Sequence, residues 1–190
     1  IHHGWTEMGQ GVFTMAVQFL CEATGISPEL ISVKVDTSKE APAGMTTASR
    51  GTSIIGNSVL DAGSKIKADL ETHSLEELVG REYEGEWICD WTTSTESVTE
   101  DPQTHYSYSY ATQVVTLDDS GQIDTVYAAH DAGRIINPVL FEGQLEGSVH
   151  MGLGYALSEN FEMQEGRPKH TKLGKLGMIR AASTPNIVVI

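Results

Sequence analysis

Ile55, Val59, Ala62, Ile66 and Leu70 recur at steps of four, three, four and four residues. That period, held over more than four turns, commits the middle of the chain to a long amphipathic helix. Two further stretches carry the same signal. In residues 11–24, Phe13, Val17, Leu20 and Cys21 share a face, and Gly25 stands where a glycine ends a helix. In residues 138–158 the apolar side is Leu145, Val149, Leu153, Ala156 and Leu157, introduced by the turn or helix-start signal Asn137-Pro138. Between the first two helices, Ser27-Pro28-Glu29 restarts the chain and residues 30–35 alternate as a strand. Ser74 followed by Glu77 fits a capping box for a short helix through Leu78.

The second half adds a hairpin. Residues 105–117 alternate tyrosines with β-branched residues, Asp118-Asp119-Ser120-Gly121 supplies a turn, and residues 123–131 return. Residues 186–190 form a last strand. Helices and antiparallel strands in this order predict an α+β fold, with amphipathic helices packed on antiparallel or mixed sheets. Residues 80–103, rich in acids and threonine around Trp87 and Trp91, are the least patterned and are expected to connect lobes within a single domain piece, 1–190.

Composition narrows the partners. With 26 acidic against 12 basic residues the net charge is −14, which repels phosphate backbones and anionic lipid and argues against nucleic-acid or membrane-surface binding. No apolar run reaches the roughly 18 residues a membrane span requires. The chain opens on Ile1, so an excised or processed piece of a longer protein is expected. Cys21 and Cys89 form no CxxC pair, iron–sulfur cysteine clusters are absent, and a reducing cytoplasmic setting fits; Cys21, on an apolar helix side, is expected as a buried free thiol.

The chemistry-bearing signal is an arrangement used three times. Gly9-Gln10-Gly11 opens the first helix, Thr46-Thr47-Ala48-Ser49-Arg50-Gly51 opens the second, and Gly143-Gln144 with Glu146-Gly147 lies early in the third. Helix starts have unpaired amides and a partial positive charge, small residues let a ligand approach the backbone, and a glutamine amide both donates and accepts. Three such ends meeting around a pocket would suit a large, polar, phosphate-bearing cofactor. The same residues also serve simply as caps and packing glycines, so a non-catalytic scaffold remains the alternative. The pattern is neither a P-loop nor a dinucleotide fingerprint.

Other candidates are weaker. His2-His3 lacks a third ligand and adjacent strand residues point apart, so no metal ligands are assigned. His105, His130 and His150 are scattered, and Asp131 with Arg134 suits a structural ion pair as well as a catalytic role. Ser49 has no triad partner at a recognisable spacing. The acids between Glu76 and Glu86 read as a solvated face.

At these same segments the sequence resembles the xanthine dehydrogenase/aldehyde oxidase family of molybdenum hydroxylases. HHGWTEMGQG looks like the family's glycine-and-glutamine segment, and TTASRGTSIIGNSVLDA resembles its threonine/alanine/serine loop running into a long helix. HDAGRIINPVLFEGQLEGSVHMGLGYALSE is similar to its D-x-G-x-x-(I/L)-N-P…GQ-x-EG…G-x-G stretch. The three occur in the family's order. The tail TKLGKLGMIRAASTPNIVVI looks closest to bacterial enzymes described as selenium-dependent xanthine dehydrogenases.

The resemblance implies a molybdopterin cofactor, in bacteria often a dinucleotide such as the cytosine form. It implies that Gln10 and Gln144 match the family's two pterin-region glutamines, with Gly9 and Gly11 beside the first, and that Ala48, Ser49 and Arg50 fall in the loop packed beside the cofactor. Arg50 and Gly51 replace smaller or hydroxyl residues common in the animal enzymes. Family members hydroxylate a carbon of an N-heterocycle or aldehyde and export electrons through iron–sulfur clusters. The expected partners are the rest of the same molybdenum-binding subunit and iron–sulfur and FAD subunits or domains, in an oligomer. The family's general-base glutamate belongs to a glycine-rich segment beyond the last strand and its phenylalanine loop to an upstream half. No catalytic residue is therefore assigned within 1–190, and the piece alone is expected to be inactive, to hold no cofactor and to self-associate.

Overall fold

A computed structural model describes residues 1–36, 38, 41–42, 44–94, 96–103 and 108–190. His105 and the start of the predicted strand 105–117 lie outside the described residues. The chain divides into two compact units, Ile1–Tyr106 and Ser107–Ile190.

The first unit is built on two packed helices, α1 (Val12–Thr24) and α2 (Gly51–Leu70). Gly25 ends α1 as expected: its φ of 75° is left-handed, and its N–H donates to the Cys21 carbonyl at 2.8 Å. The buried face of α1 differs from the predicted one by about one position. Val12, Met15 and Ala16 are buried, whereas Phe13, Val17, Leu20 and Cys21 are half-buried, the last as a free thiol. The cause lies on α2, whose Gly56 and Gly63 receive α1 side chains. A Cβ at Gly56 would stand 2.7 Å from the Phe19 ring, and one at Gly63 would stand 2.8 Å from the Ala23 methyl. Glycines mark where helices come closest, and apolar periodicity does not record that.

The strand expected over residues 30–35 is not formed. Pro28–Leu30 is a single 3₁₀ turn, closed by the Ile31 N–H on the Pro28 carbonyl at 3.1 Å, and residues 31–35 make one lone parallel bridge, His2 to Lys34. Ile31 and Val33 still face inward, but the bridging partner is the N-terminal stretch, too short for a ladder. The capping box at Ser74 is present in both directions: Ser74 N–H donates to Glu77 Oε2 at 2.7 Å, and Glu77 N–H to Ser74 Oγ at 3.4 Å. It caps successive i to i+3 turns through Val79, however, and no helix.

Residues 81–86 then run back along α2. Arg81 and the Tyr83 hydroxyl both donate to Asp69 Oδ2 at 2.8 and 2.7 Å, Lys65 donates to the Glu84 carbonyl at 2.6 Å, and Glu86 N–H to Asp61 Oδ2 at 3.1 Å. The glutamates of this stretch are exposed, and Trp87 and Trp91 meet edge to face at 6.0 Å.

The second unit is a three-stranded sheet with a helix against it. β1 (Tyr110–Leu117) and β2 (Ile123–Asp131) are the predicted antiparallel hairpin, in register from Tyr110 opposite Asp131. Asp118 Oδ1 fastens its turn by accepting from the amides of Ser120 and Gln122 and from the Ser120 hydroxyl. After α3 (Pro138–Leu157) and a short hairpin, β3 (Met163–Gln164) with β4 (Arg167–Pro168), the chain returns as β5 (Asn186–Val189), parallel to β2. A parallel return needs a crossover, and α3 lies within it. Val126, Ala128 and Val149 form the core, with Ile123, Leu153 and Ile187 packed on it. The sheet is therefore mixed and the fold α+β.

Of the side expected on α3, Ala156 and Leu157 are exposed and Gly154 is buried instead. The helix carries apolar residues around its whole circumference, so its period does not single out one face; Val139, Met151 and Tyr155 also stand in the open. Among the described residues no helix is long and apolar enough to cross a membrane.

Candidate functional site

Within the first unit, Trp5 and Thr6 bring two of the predicted segments together. Trp5 is 3% exposed. The Arg50 guanidinium lies over its ring, 5.7 Å from the centroid, and a Cβ on Gly51 would sit 3.3 Å from that ring. One residue on, the Thr6 N–H donates to Thr46 Oγ1 at 2.9 Å. The loop ahead of α2 is thus pinned at both ends to the loop ahead of α1. Between the pins, Ala48 and Ser49 are both left-handed, with φ of 60° and 52°. An L-residue in that region is strained by about 1–3 kcal/mol and persists only when its surroundings hold it. Arg50 helps by donating from Nη2 to the Met45 carbonyl at 3.0 Å.

The three helix starts turn out to be chemically unlike. At α1, Glu7 folds onto the amides: its Oε1 accepts from Gly9 at 2.8 Å and Gly11 at 3.0 Å, and its Oε2 from Phe13 at 3.2 Å. Burial alone would raise the Glu7 pKa, but the amides of Gly11, Phe13, Gly9 and Val12 outweigh it and hold the carboxyl below the usual glutamate value. At α3, Asn137 Oδ1 accepts from the Leu140 N–H at 3.0 Å and Pro138 follows it, so that end is also capped. At α2 the capping position is Arg50, whose side chain makes no capping bond. Among the described residues no side chain caps the α2 amides, unlike those of α1 and α3.

Gln10 is half-buried and turned onto its own segment. Its Nε2 donates to the Thr6 carbonyl at 2.8 Å and its Oε1 accepts from the Met8 N–H at 2.6 Å. Gln144 belongs to the second unit, exposed in the second turn of α3, where its carbonyl accepts from the Ser148 hydroxyl at 2.7 Å. Next to it, Gly143, Glu146, Gly147 and His150 form one wall of an open cleft of about 570 Å³, and residues 184–187 form the other. A Cβ on Gly143 or Gly147 would meet nothing within 4 Å, so these glycines serve no packing need inside their own unit.

Of the remaining candidates, His3 and Asp131 make local contacts. His3 lies edge-on to Phe13 with centroids 5.3 Å apart, and its Nδ1 accepts from the Trp5 N–H at 3.3 Å. Burial, then the nearby Ile1 amino terminus, lowers its pKa against the pull of Glu7. His2 is exposed, and Asp131 Oδ1 accepts from the Gly133 N–H at 3.1 Å. Sequence reasoning overlooked Trp5 and Glu7. A carboxylate two residues ahead of Gly-x-Gly at a helix start was the available signal for Glu7; for Trp5 there was only its size.

The sequence pattern of the molybdopterin cofactor-binding domain family matches residues 1–84 and 72–185. A probable xanthine dehydrogenase subunit of Bacillus subtilis is 27% identical over 197 residues, covering 86% of this chain and 26% of that protein. The aldehyde oxidoreductase of Megalodesulfovibrio gigas is 28% identical over 180 residues, covering 85% and 20%. Among solved structures, aldehyde oxidoreductase from Desulfovibrio gigas superposes with a TM-score of 0.74 at 25% identity, over all of this chain and 23% of the other. CO dehydrogenase from Oligotropha carboxidovorans gives 0.71 at 22% identity, over 99% and 28%, and shares the fold. The chain thus spans about a quarter of the proteins it matches, or less. It belongs to the family of molybdopterin cofactor-binding domains found in xanthine dehydrogenases and aldehyde oxidoreductases.

Proposed function

We propose that these residues supply part of the cofactor cradle of a molybdenum hydroxylase, an oxidoreductase that hydroxylates a carbon of a purine-like heterocycle or an aldehyde. The cradle would take molybdopterin, including its cytosine dinucleotide form, through Gly9, Gln10, Gly11, Ala48, Ser49, Arg50 and Gln144. The observation that carries the reading is the start of α2. Among the described residues no side chain caps its amides, and two strained residues ahead of them are clamped by Trp5, Thr6 and Thr46. Strain held this firmly suits a surface shaped to meet a ligand. The open glycine wall of α3 fits the same purpose, since bare backbone admits a large ring system closely.

The bound cofactor would supply the redox chemistry and the oxygen transfer. This chain's share is to bind and orient: α2 amides toward anionic oxygens, Gln144 toward a mixed donor–acceptor edge, and glycines that leave room. The catalytic residues, the iron–sulfur and FAD partners and the oligomeric contacts would come from the rest of the protein and its companions, in the cytoplasm. The isolated chain, with part of the cradle, would hold no cofactor.

One observation favours a scaffold role for one residue. Gln10 spends both ends of its amide on Thr6 and Met8. The two glutamines therefore make a comparison. In the full-length protein, Gln144→Ala should leave folding intact and lower molybdenum occupancy about tenfold, the loss of one or two good hydrogen bonds. Gln10→Ala should lower both occupancy and thermal stability. Metal analysis beside a melting curve separates them; full molybdenum in a folded Gln144→Ala protein would remove that residue from the cradle.

A further inference from the structure

We propose that Glu7 is a built-in anion that fills the amide concavity at the start of α1 and thereby sets the pose of Gln10. The helix end anticipated as a phosphate site would then be closed to phosphate, leaving Gly9 and Gly11 to a cofactor as small residues and not as amide donors, with Gln10 held on Thr6 and Met8. Gly9 and Gly11 are both left-handed, with φ of 99° and 80°, and their N–H groups converge on one carboxylate oxygen while Phe13 serves the other. Successive amides turned inward in this way make a nest for a negative group. A carboxylate tethered two to six residues away occupies it without the entropy loss of capturing a free ion.

Gln10 sits between the two glycines. Its hold on Thr6 and Met8 closes the same loop from the other side, so the carboxylate and the amide brace one short segment together. Removing Glu7 frees three amides and two residues with left-handed backbones, and Gln10 loses the frame that fixes it. This acts through backbone, which makes Glu7 a positioning residue. Its value for a cofactor rests on the reading given above; its occupancy of the nest does not.

The test uses the full-length protein with Glu7→Ala and Glu7→Gln, the second keeping one acceptor oxygen if the first fails to fold. Amide hydrogen exchange at residues 8–13 should speed up about tenfold or more in Glu7→Ala, including at Met8, and less in Glu7→Gln. Inorganic phosphate, compared with chloride at equal ionic strength, should raise the melting temperature of Glu7→Ala and leave the wild type unmoved. Unchanged exchange at Gly9, Gly11 and Phe13, or equal phosphate stabilisation of wild type and variant, would overturn the occupancy. Continued protection at Met8 in Glu7→Ala would overturn the positioning of Gln10. Molybdenum content is measured alongside: a wild type without the metal defeats the cofactor reading and leaves the exchange result standing.

Discussion

Gly85→Ala is expected to destabilise the protein by about 3 kcal/mol, the upper part of the range for forcing atoms into a packed site. A Cβ at position 85 would sit 2.0 Å from the Ser58 carbonyl oxygen and 2.8 Å from both the backbone nitrogen and the methyl of Ala62. These are mostly backbone atoms of α2, which cannot swing aside as a long side chain would. The chain from Arg81 to Glu86 would have to lift off the helix, stretching the contacts of Lys65 with Glu84 and of Glu86 with Asp61. Gly143→Ala is the matched control. It lies within α3 with nothing near its Cβ, and there alanine is favoured by up to about 1 kcal/mol. Urea unfolding of both variants should give shifts of opposite sign.

Trp5→Ala should have the largest effect, about 3–5 kcal/mol for emptying a buried aromatic site. Trp5 is almost wholly enclosed, and its ring is the surface on which Arg50 and Gly51 rest. Its loss opens a cavity at the α1–α2 junction and releases one of the two pins on the strained Ala48–Ser49 pair. Instability should therefore be accompanied by faster amide exchange through residues 46–51. Trp5→Phe keeps a ring there and should retain much of the protection. Exchange in that loop unaffected by Trp5→Ala would show that the strain is held by something other than the Trp5 stack.

The extent to which the chain could be read in advance follows the range of each interaction. Helices α1, α2 and α3 were legible because apolar period, Gly25 and Asn137-Pro138 are local signals, and so was the hairpin, whose turn Asp118 ties by itself. The face of α1 was read one position off because Gly56 and Gly63, on another helix, decide it. Residues 30–35 have a strand's alternation but, among the described residues, only a single bridge to His2 beside them, and β5 was placed correctly without any hint of its parallel partner β2. Pairing is a property of two distant segments, and one segment's composition does not state it.

The site divides in the same manner. That residues 9–11 and 46–51 belong to neighbouring loops was suggested by their shared small-residue character, but the contacts that join them, Trp5 with Arg50 and Thr6 with Thr46, leave no trace in either segment alone. The assumption that a helix start offers free amides is left standing at α2, where the Arg50 side chain makes no capping bond. It did not hold for α1 or α3, where Glu7 and Asn137 supply the partner from within the chain. Charge near a glycine-rich helix start is as much a sign of a filled site as of an open one.

Molybdenum and pterin quantified together in the full-length protein, produced alongside its maturation machinery, bear most directly on the function assigned to these loops. The account predicts near-stoichiometric amounts of both, released in parallel when the protein is unfolded. A well-folded, correctly assembled protein that contains neither would contradict it, and would leave the clamped loop of Ala48 and Ser49 and the bare glycines of α3 as scaffold.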